Sequence, residues 1–159
     1  MPLQLRPYEA ADLEALVETF TDSVHALARP FYDDAQRAAW APEQADLEEW
    51  RARLGTTKVL LAEEDGKLAG FIGYSSDGYV ALLYTASHAA RRGVATQLYA
   101  NVEAEWRAAG VVRAYSEVSL AARPFFERHG FTVVEEERVE RRGRTFTRFR
   151  MSKELTAAS

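Results

Sequence analysis

Apolar positions in the first third of the chain follow a strand period and then a helix period. Leu3 and Leu5 alternate with polar residues until Pro7, which predicts a short strand. The apolar residues then recur at intervals of three and four, as on one buried face of a helix: Leu13, Leu16, Val17 and Phe20. The stretch FYDDAQRAAWAPEQADLEEWRARLG predicts two short helices separated by Pro42, with Gly55 ending the second.

Strand patterns dominate the middle of the chain. TTKVLLAEED and KLAGFIGYSS form a predicted hairpin, because the Asp65-Gly66 pair between them is a strong signal for a tight turn. After Asp77-Gly78, the run YVALLYT is apolar on both faces, which is typical of a central strand.

Helices and strands alternate in the second half of the chain. A helix is predicted from about Val94 to Ala109, with Gly110 as its C-terminal cap. The strand VRAYSEVS, the helix AARPFFERHG and the strand FTVVEEERVE follow, and an Arg142-Gly143 turn leads into the last strand, TFTRFRMS. The tail ELTAAS is expected to fray. Together these elements predict one α/β domain, residues 1–159, with a mixed sheet and helices on its faces.

Composition narrows the function without assigning it. The 159 residues suffice for one domain, and 20 basic against 24 acidic side chains give a net charge of −4, which argues against nucleic acid as a partner. The absence of cysteine excludes disulfides and a cysteine nucleophile, and the three scattered histidines offer little to a metal ion. The N-terminus lacks the pattern of a secretory signal, and no apolar run approaches the roughly 20 residues of a membrane span. A cytoplasmic protein without membrane contact is therefore expected.

A basic, glycine-containing loop leads directly into the helix that starts at Val94. The run Ala90-Arg91-Arg92-Gly93-Val94-Ala95 places positive charge where the helix dipole already favours anions. Gly93 would let the backbone approach an anion, and the amides from Arg92 through Thr96 have no helical partner. The alternative is a solvated loop with an ordinary turn glycine. Neither a nucleoside-triphosphate loop, Gly-x-x-x-x-Gly-Lys-Ser/Thr, nor a dinucleotide motif, Gly-x-Gly-x-x-Gly after the first strand, is present.

A second motif, SLAARPFFERHGF, spans Ser119 to Phe131. With the loop and the order of elements, it resembles the GNAT superfamily of acetyl-CoA-dependent N-acetyltransferases. In that family the loop has the pattern Gln or Arg, any two residues, Gly, any residue, and then Gly or Ala. The second motif begins with Asn, any two residues and Ala, continues with a Leu-Tyr pair, and closes with Gly-Phe. The resemblance covers Leu3 to about Leu155. It implies the GNAT fold, a mixed and mostly antiparallel sheet of about seven strands with helices on both faces, and direct transfer of an acetyl group from acetyl-CoA to a primary amine.

The resemblance also implies where acetyl-CoA binds. Its pyrophosphate would lie against Gly93 and the amides from Arg92 through Thr96, which include those of Val94 and Ala95. The side chains of Arg91 and Arg92 would add charge for the ribose 3′-phosphate. The pantetheine arm would pass Ser119 and Ala122, with Phe126 as part of its wall. A backbone amide between Leu83 and Thr85, where the central strands splay, would hold the oxyanion of the tetrahedral intermediate.

Three positions depart from the family pattern. Ala90 stands where the family has Gln or Arg. Phe126 stands where many members have the tyrosine that protonates the leaving thiolate, and phenylalanine has no proton to donate. Tyr84 and Tyr115 are the nearest replacements by strand position. The strand YVALLYT also lacks the carboxylate that often serves as the general base in the family. Ala81 occupies the position where that carboxylate would first be expected.

Two residues are candidates for the missing base. Glu117 lies two positions before Ser119, so both side chains project from one strand face, and burial between strands would raise the pKa of a carboxyl there towards neutrality. His25 lies at the end of the first predicted helix, where the family forms its acceptor pocket. The alternatives are that Glu117 is only a surface residue, that His25 has only a structural role, and that a water chain leading to solvent takes the proton.

The acceptor amine is not identified by the sequence. Its pocket would be framed by VHALARPFYDDAQRAAW, which offers His25, Arg29, Tyr32, Asp33, Asp34 and Trp40. An acidic pair with aromatics suits a cationic amine, although Asp-Asp before a helix is also typical of an N-cap. Small metabolites, aminoglycoside-like compounds and protein N-termini all remain open.

Three further possibilities concern catalysis and assembly. The absent tyrosine and carboxylate also fit a GNAT-fold module that binds acyl-CoA without turning it over, and a structural α/β domain without a ligand is a third interpretation. The last two strands form a long charged hairpin, and GNAT proteins often pair through such strands, so a homodimer is expected. The alternative is a monomer whose sheet edge is guarded by its own Glu and Arg side chains.

Overall fold

The computed structural model describes residues 3–155 and contains one seven-stranded sheet with the strand order β1-β2-β3-β4-β5-β7-β6. The strands are β1 (Gln4–Pro7), β2 (Lys58–Glu64), β3 (Lys67–Tyr74), β4 (Tyr79–Thr85), β5 (Arg113–Ser119), β6 (Thr132–Arg141) and β7 (Arg144–Glu154). The helices are α1 (Leu13–Leu27), α2 (Asp34–Trp40), α3 (Leu47–Gly55), α4 (Val94–Ala108) and α5 (Arg123–Arg128), with short 3-10 turns at Ala10–Asp12 and Ser87–Ala89. Neighbouring strands are antiparallel except β4 and β5, which run parallel. The predicted mixed, mostly antiparallel sheet is confirmed.

The last strand extends further than the sequence indicated. β7 reaches Glu154, so the first residue of the predicted tail belongs to the sheet. Leu155, the next residue of that tail, is buried in the core and its amide donates to the Val112 carbonyl at 2.9 Å, so the expected fraying is wrong for both residues. The remaining four residues, 156–159, lie outside the described residues.

Helices cover both faces of the sheet, as predicted. On one face, Leu16 and Phe20 of α1 and Trp50 of α3 pack against Leu61 and Phe71 of the sheet. The opposite face is covered by α4 and α5, which contribute Leu98, Val102, Trp106 and Phe126 to the core. No helix within residues 3–155 has the length and apolarity needed to cross a membrane.

The parallel strands β4 and β5 pair at only two positions. Tyr79 lies opposite Tyr115, and Val80 lies opposite Ser116. The Ser116 hydroxyl donates a hydrogen bond to the Val80 carbonyl at 2.8 Å, in place of the next backbone bond of the ladder. Beyond this point the strands separate and leave a gap in the middle of the sheet.

Gly78 holds the paired end of these strands together. Its carbonyl accepts a hydrogen bond from the Tyr115 amide at 2.9 Å. Its φ is +112°, and a Cβ at this position would overlap the backbone carbonyl of Arg113. The close approach of the two chains therefore requires glycine here.

A β-bulge on β4 lies at the start of the gap. Val80 and Leu82 pair with successive residues of β3, so Ala81 between them has no partner. The extra residue changes which side chains face each way: Val80 packs on the α4 face, whereas Leu82 and Tyr84 pack on the α1 face. The strand thus presents Tyr84 towards α1 and α2.

The β6–β7 hairpin bends over α2 and forms a wall beside the gap. Gln36 of α2 donates to the backbone of β7 at 3.1 Å, and Arg142 in the hairpin turn donates to the backbone of α2 at 2.6 Å. Phe146 of β7 packs against Tyr32 and Trp40, with ring centroids 5.6 and 6.2 Å apart. β6 is left as one edge of the sheet.

Candidate active site

The gap between β4 and β5 opens into a cleft of about 470 Å³. One end of the cleft reaches Ala95 in the first turn of α4, and the other opens between the α1–α2 segment and the β6–β7 hairpin. Eight of the residues predicted for the site line it: Leu83, Tyr84, Thr85, Ala95, Glu117, Ser119, Ala122 and Phe126. The fold therefore brings the two sequence motifs and the strand YVALLYT to one place.

The start of α4 has the properties of an anion-binding site. Gly93 precedes the helix with a φ of +83°, and a Cβ there would meet no atom within 4 Å, so the space beside it is open. No side chain caps α4, and its first turn holds no acidic residue, whereas α2 and α3 are capped by Asp33 and Asp46. The amides from Val94 to Thr96 have no partner within the helix, and the helix dipole favours negative charge in front of them.

The two arginines of the loop before α4 differ in their surroundings. Arg92 is ion-paired with Glu64 of β2. Arg91 has a left-handed backbone at φ +62°, is exposed, and forms no salt bridge within residues 3–155. Arg91 is thus the side-chain charge of this loop that is available to an anion.

His129 lies beside the start of α4 and was missed in the sequence analysis. Its Nε2 is 3.2 Å from Oγ1 of Thr96, and its ring packs on Phe125 with centroids 4.2 Å apart. Burial lowers the pKa of His129, and the charges of Lys153 and Arg128 lower it further, which favours the neutral imidazole. The signal in the sequence was its position directly before the closing Gly-Phe of the second motif.

Backbone amides of β4 border the gap. Ala86 donates to the backbone of β3 at 2.8 Å, so the alternation along β4 turns the amides of Leu83 and Thr85 towards the gap. Across the gap, the hydroxyl oxygen of Ser119 accepts a hydrogen bond from the Ala122 amide at 3.1 Å and fixes the turn into α5.

Glu117 lies where the two strands separate, and its carboxylate accepts a hydrogen bond from the Tyr79 hydroxyl. The expected burial of Glu117 is wrong: the side chain is exposed, because the strands have already parted at this position. Burial, reinforced by Glu117, raises the pKa of Tyr79 well above its usual range, so Tyr79 keeps its proton at neutral pH. Within the described residues, Glu117 is the one carboxylate that lines the cleft.

The two tyrosines predicted as proton donors lie in different surroundings. Tyr84 lines the cleft among aromatic rings, with centroids 4.9 Å from Phe20, 5.7 Å from Phe71 and 6.3 Å from Trp40. Burial raises the pKa of Tyr84. Tyr115 does not line the cleft, and its hydroxyl donates to Asp77 at 3.0 Å.

Only part of the predicted acceptor segment reaches the cleft. Tyr32 and Trp40 line it, but His25 and the exposed Arg29 do not. Nε2 of His25 donates to the Ala41 carbonyl at 2.7 Å and so joins the end of α1 to the end of α2. This contact gives His25 a structural role.

The acidic pair before α2 serves that helix. Asp33 is the N-cap and accepts a hydrogen bond from the Gln36 amide at 2.7 Å, and Asp34 is ion-paired with Arg37. Neither aspartate lines the cleft, so the expected acidic pocket for a cationic amine is absent from it.

Tyr32 places a buried hydroxyl at the open end of β5. This hydroxyl accepts a hydrogen bond from the Leu120 amide at 2.9 Å and contacts the side chain of Ser119. Burial raises the pKa of Tyr32, and these two hydrogen bonds offset part of the rise, so the hydroxyl is protonated at neutral pH. Its ring packs edge-on against Trp40, with centroids 5.3 Å apart.

Three arginines lie around the outer end of the cleft, and the sequence analysis missed all of them. They are Arg53 of α3, Arg141 of β6 and Arg148 of β7. Arg148 is paired with Glu137 at 2.6 Å. Arg53 comes from a distant part of the chain, and Arg141 and Arg148 lie on consecutive strands of one hairpin, so only the folded structure places the three around one cleft.

Comparisons with known proteins agree with this geometry. Residues 18–154 match the family model described as an acetyltransferase (GNAT) domain. The chain is 33% identical over 153 residues to the N-acetyltransferase YafP of Escherichia coli K12, and the match covers 94% of both chains. A GCN5-related N-acetyltransferase of Rhodopseudomonas palustris has a similar structure, with a TM-score of 0.91, 26% identity and coverage of 97% of this chain and 96% of that one. The PaiA N-acetyltransferase of Thermoplasma acidophilum, solved in complex with coenzyme A, shares the fold with a TM-score of 0.75 at 20% identity, over 97% of this chain and 99% of that one. The chain belongs to the GNAT family of acetyltransferases, enzymes that use acetyl-CoA.

Proposed function

We propose that this protein transfers an acetyl group directly from acetyl-CoA to a primary amine, and that residues 1–159 act as a single domain. The observation that carries the proposal is the continuous cleft, which runs from the start of α4 through the gap between β4 and β5 to the mouth beside the hairpin. A cofactor entering from α4 and an amine entering from the mouth would meet in the gap. Holding both reactants in this position supplies a large part of the rate.

The cofactor would bind at the α4 end. The uncapped amides from Arg92 to Thr96 would hold the pyrophosphate, and Arg91 would add charge. The pantetheine arm would extend into the gap between Leu83–Thr85 on one side and Ser119–Ala122 on the other, with Phe126 as part of the wall.

The reaction in the gap forms one bond and breaks one. The amine nitrogen attacks the thioester carbonyl carbon, and an amide of Leu83 or Thr85 stabilises the oxyanion that develops. Collapse of the intermediate breaks the carbon–sulfur bond, the nitrogen gives a proton to a base, and the coenzyme A thiolate receives a proton from an acid.

Release of free thiol tests the proposed function. Acetyl-CoA is mixed with the protein and a panel of amino acids, amino-acid amides, polyamines and aminoglycosides, and the thiol is measured with the acetylated product identified by mass. Amine-dependent release is expected. Tight binding of acetyl-CoA without release for any amine contradicts the proposal.

Replacement of Gly93 by valine tests the cofactor site. Acetyl-CoA should raise the melting temperature of the native protein, because it binds only the folded state. Gly93→Val is expected to abolish most of that shift, because its side chain fills the open space in front of the helix amides. Gly110→Val is the matched control: Gly110 follows the other end of α4 with a φ of +82° and equally open surroundings, so the backbone strain is the same. Equal shifts in both variants would remove the cofactor from this loop.

Tyr32 is the best-placed acid in the gap. Phe126 has no hydroxyl, and Tyr84 faces α1 and α2 among apolar rings. The Tyr32 hydroxyl lies beside Ser119 at the end of β5, along which the pantetheine arm would run, and it holds its proton at neutral pH. We assign it the protonation of the leaving thiolate.

Tyr32→Phe is therefore expected to lower kcat by about 10²-fold while the acetyl-CoA thermal shift is retained. Tyr84→Phe is the comparison, and it should keep most of the activity. Because Phe126 occupies the family's tyrosine position, Phe126→Tyr in the Tyr32→Phe background should restore part of the rate. A large loss in Tyr84→Phe with none in Tyr32→Phe would transfer the role to Tyr84.

Glu117 is the proposed base, directly or through one water. Its support is its position, since it is the one carboxylate among the described residues that line the cleft. Glu117→Gln is expected to lower turnover by about 10²-fold without weakening the acetyl-CoA thermal shift. Glu135→Gln is the control, because Glu135 is an exposed glutamate paired with Arg150 away from the cleft. Parental turnover of Glu117→Gln across the pH range would leave proton removal to water.

We also propose a homodimer formed through the C-terminal hairpin. In support, β6 is an edge strand, and two of its apolar side chains, Val133 and Val134, are 37% and 61% exposed. Light scattering at micromolar concentration is expected to give twice the chain mass of 17.9 kDa. A single species of 17.9 kDa would show that the charged residues of β6 keep the edge unpaired.

A further inference from the structure

The outer end of the cleft carries positive charge in a protein whose net charge is −4. Arg53 of α3 and Arg141 of β6 both line it, are exposed, and form no salt bridge within residues 3–155. Arg148 is compensated by Glu137, whereas the hydrogen bond that Glu117 accepts from the neutral Tyr79 hydroxyl does not cancel the charge of its carboxylate. Two unpaired guanidinium groups therefore outnumber the one carboxylate among the described residues that line the cleft.

The positive field extends to the floor of the cleft. Both Arg53 and Arg141 act to lower the pKa of Tyr84, against the larger opposing effect of its burial. The Arg53 guanidinium lies over the ring of Trp50 in the same helix, with its central carbon 5.4 Å from the ring centroid. A purely cationic amine would meet two unpaired guanidinium charges against the single carboxylate of Glu117, because the acidic pair before α2 does not line the cleft.

Beside these charges, the lining of the cleft offers large apolar side chains. They include Leu27, Trp40, Leu82 and Phe146. A ligand that fits this arrangement carries an anionic group at the mouth and an apolar portion along the walls. Its amine must then reach the thioester in the gap.

We propose that the acceptor is an amine bearing a carboxylate, of the class of apolar α-amino acids, with the carboxylate held by Arg53 and Arg141. Guanidinium groups bind carboxylates with charge-assisted hydrogen bonds, which are among the stronger ones in proteins. The same positive field destabilises the ammonium form of the acceptor, which increases the fraction of the neutral amine that can attack. This inference rests on the proposed acetyl transfer and adds the class of substrate.

The test uses matched acid and amide pairs. Phenylalanine, leucine and methionine are compared with their carboxamides and with 2-phenylethylamine, and kcat/KM is measured by thiol release for the native protein and for Arg53→Gln and Arg141→Gln. Converting the acid to the amide also changes the pKa of the amine. The comparison is therefore the ratio of variant to native kcat/KM for each substrate, in which that difference cancels.

Each glutamine variant is expected to lower kcat/KM for the acids by about tenfold, the value of one hydrogen bond to a charged group, through a higher KM. The amides should be nearly unaffected, Arg53→Lys should retain most of the activity, and added salt should raise the KM of the acids alone. Arg138→Gln is the control, because Arg138 is an exposed arginine of β6 that does not line the cleft.

The outcomes separate this inference from the proposed function. Acetylation of amides or 2-phenylethylamine with no loss in the arginine variants overturns the carboxylate site and leaves acetyl transfer standing. Acetylation of polyamines or aminoglycosides but of none of the acids overturns it as well. Failure of every amine to release thiol overturns both.

Discussion

The site depends on the early end of the pairing between β4 and β5. Two parallel strands in the middle of a sheet would ordinarily continue their ladder, but here the Ser116 hydroxyl takes the carbonyl of Val80 and the bulge at Ala81 shifts the strand. Backbone groups on both strands then face a gap inside the protein. Such groups are costly to leave without partners, so the gap favours a ligand with its own amide groups, such as the pantetheine arm of coenzyme A. On the proposed assignment, the same opening that weakens the sheet is the channel for the cofactor.

The two ends of this channel have the same sign of charge for different reasons. At the α4 end, the positive potential comes from uncapped backbone amides, the helix dipole and Arg91. At the mouth it comes from the unpaired Arg53 of α3 and Arg141 of β6. On the proposed assignments, each reactant is held by an anionic group at its far end, and the thioester and the amine meet in the less charged middle. The protein can be acidic overall and still present a positive channel, because among the described residues only one carboxylate, that of Glu117, lines the cleft.

Most of the fold was predictable because it follows local patterns. The helix spacing around Leu16, the Asp65-Gly66 turn and the capping glycine Gly110 each fix an element within a few residues. The uncapped start of α4 was predictable for the same reason, since Gly93 and the helix amides are neighbours in sequence.

The rest of the site depends on contacts between distant segments. Glu117 was expected to be buried between strands. It is exposed because β4 and β5 separate just before it, and the sequence does not indicate where that separation occurs. Asp33 looked available to an acceptor until its capping of α2 was visible. Tyr32 and Arg141 reach the cleft because the hairpin folds over α2, which no spacing in the sequence specifies.

The position of Tyr32 has a consequence for where the acid of the proposed reaction comes from. On the proposed assignments, a tyrosine on α5 would belong to the cofactor wall, whereas Tyr32 belongs to the acceptor wall, with its ring against Trp40 and Phe146. Those two rings line the cleft, so an acceptor that packs on them would lie directly beside the ring that carries the proposed acid. Because Tyr32 is buried and its hydroxyl is held by the Leu120 amide, this ring is in place before either reactant binds. The loss of the tyrosine hydroxyl from α5 is therefore compensated, in this proposal, by a preformed group that the fold supplies from the opposite wall.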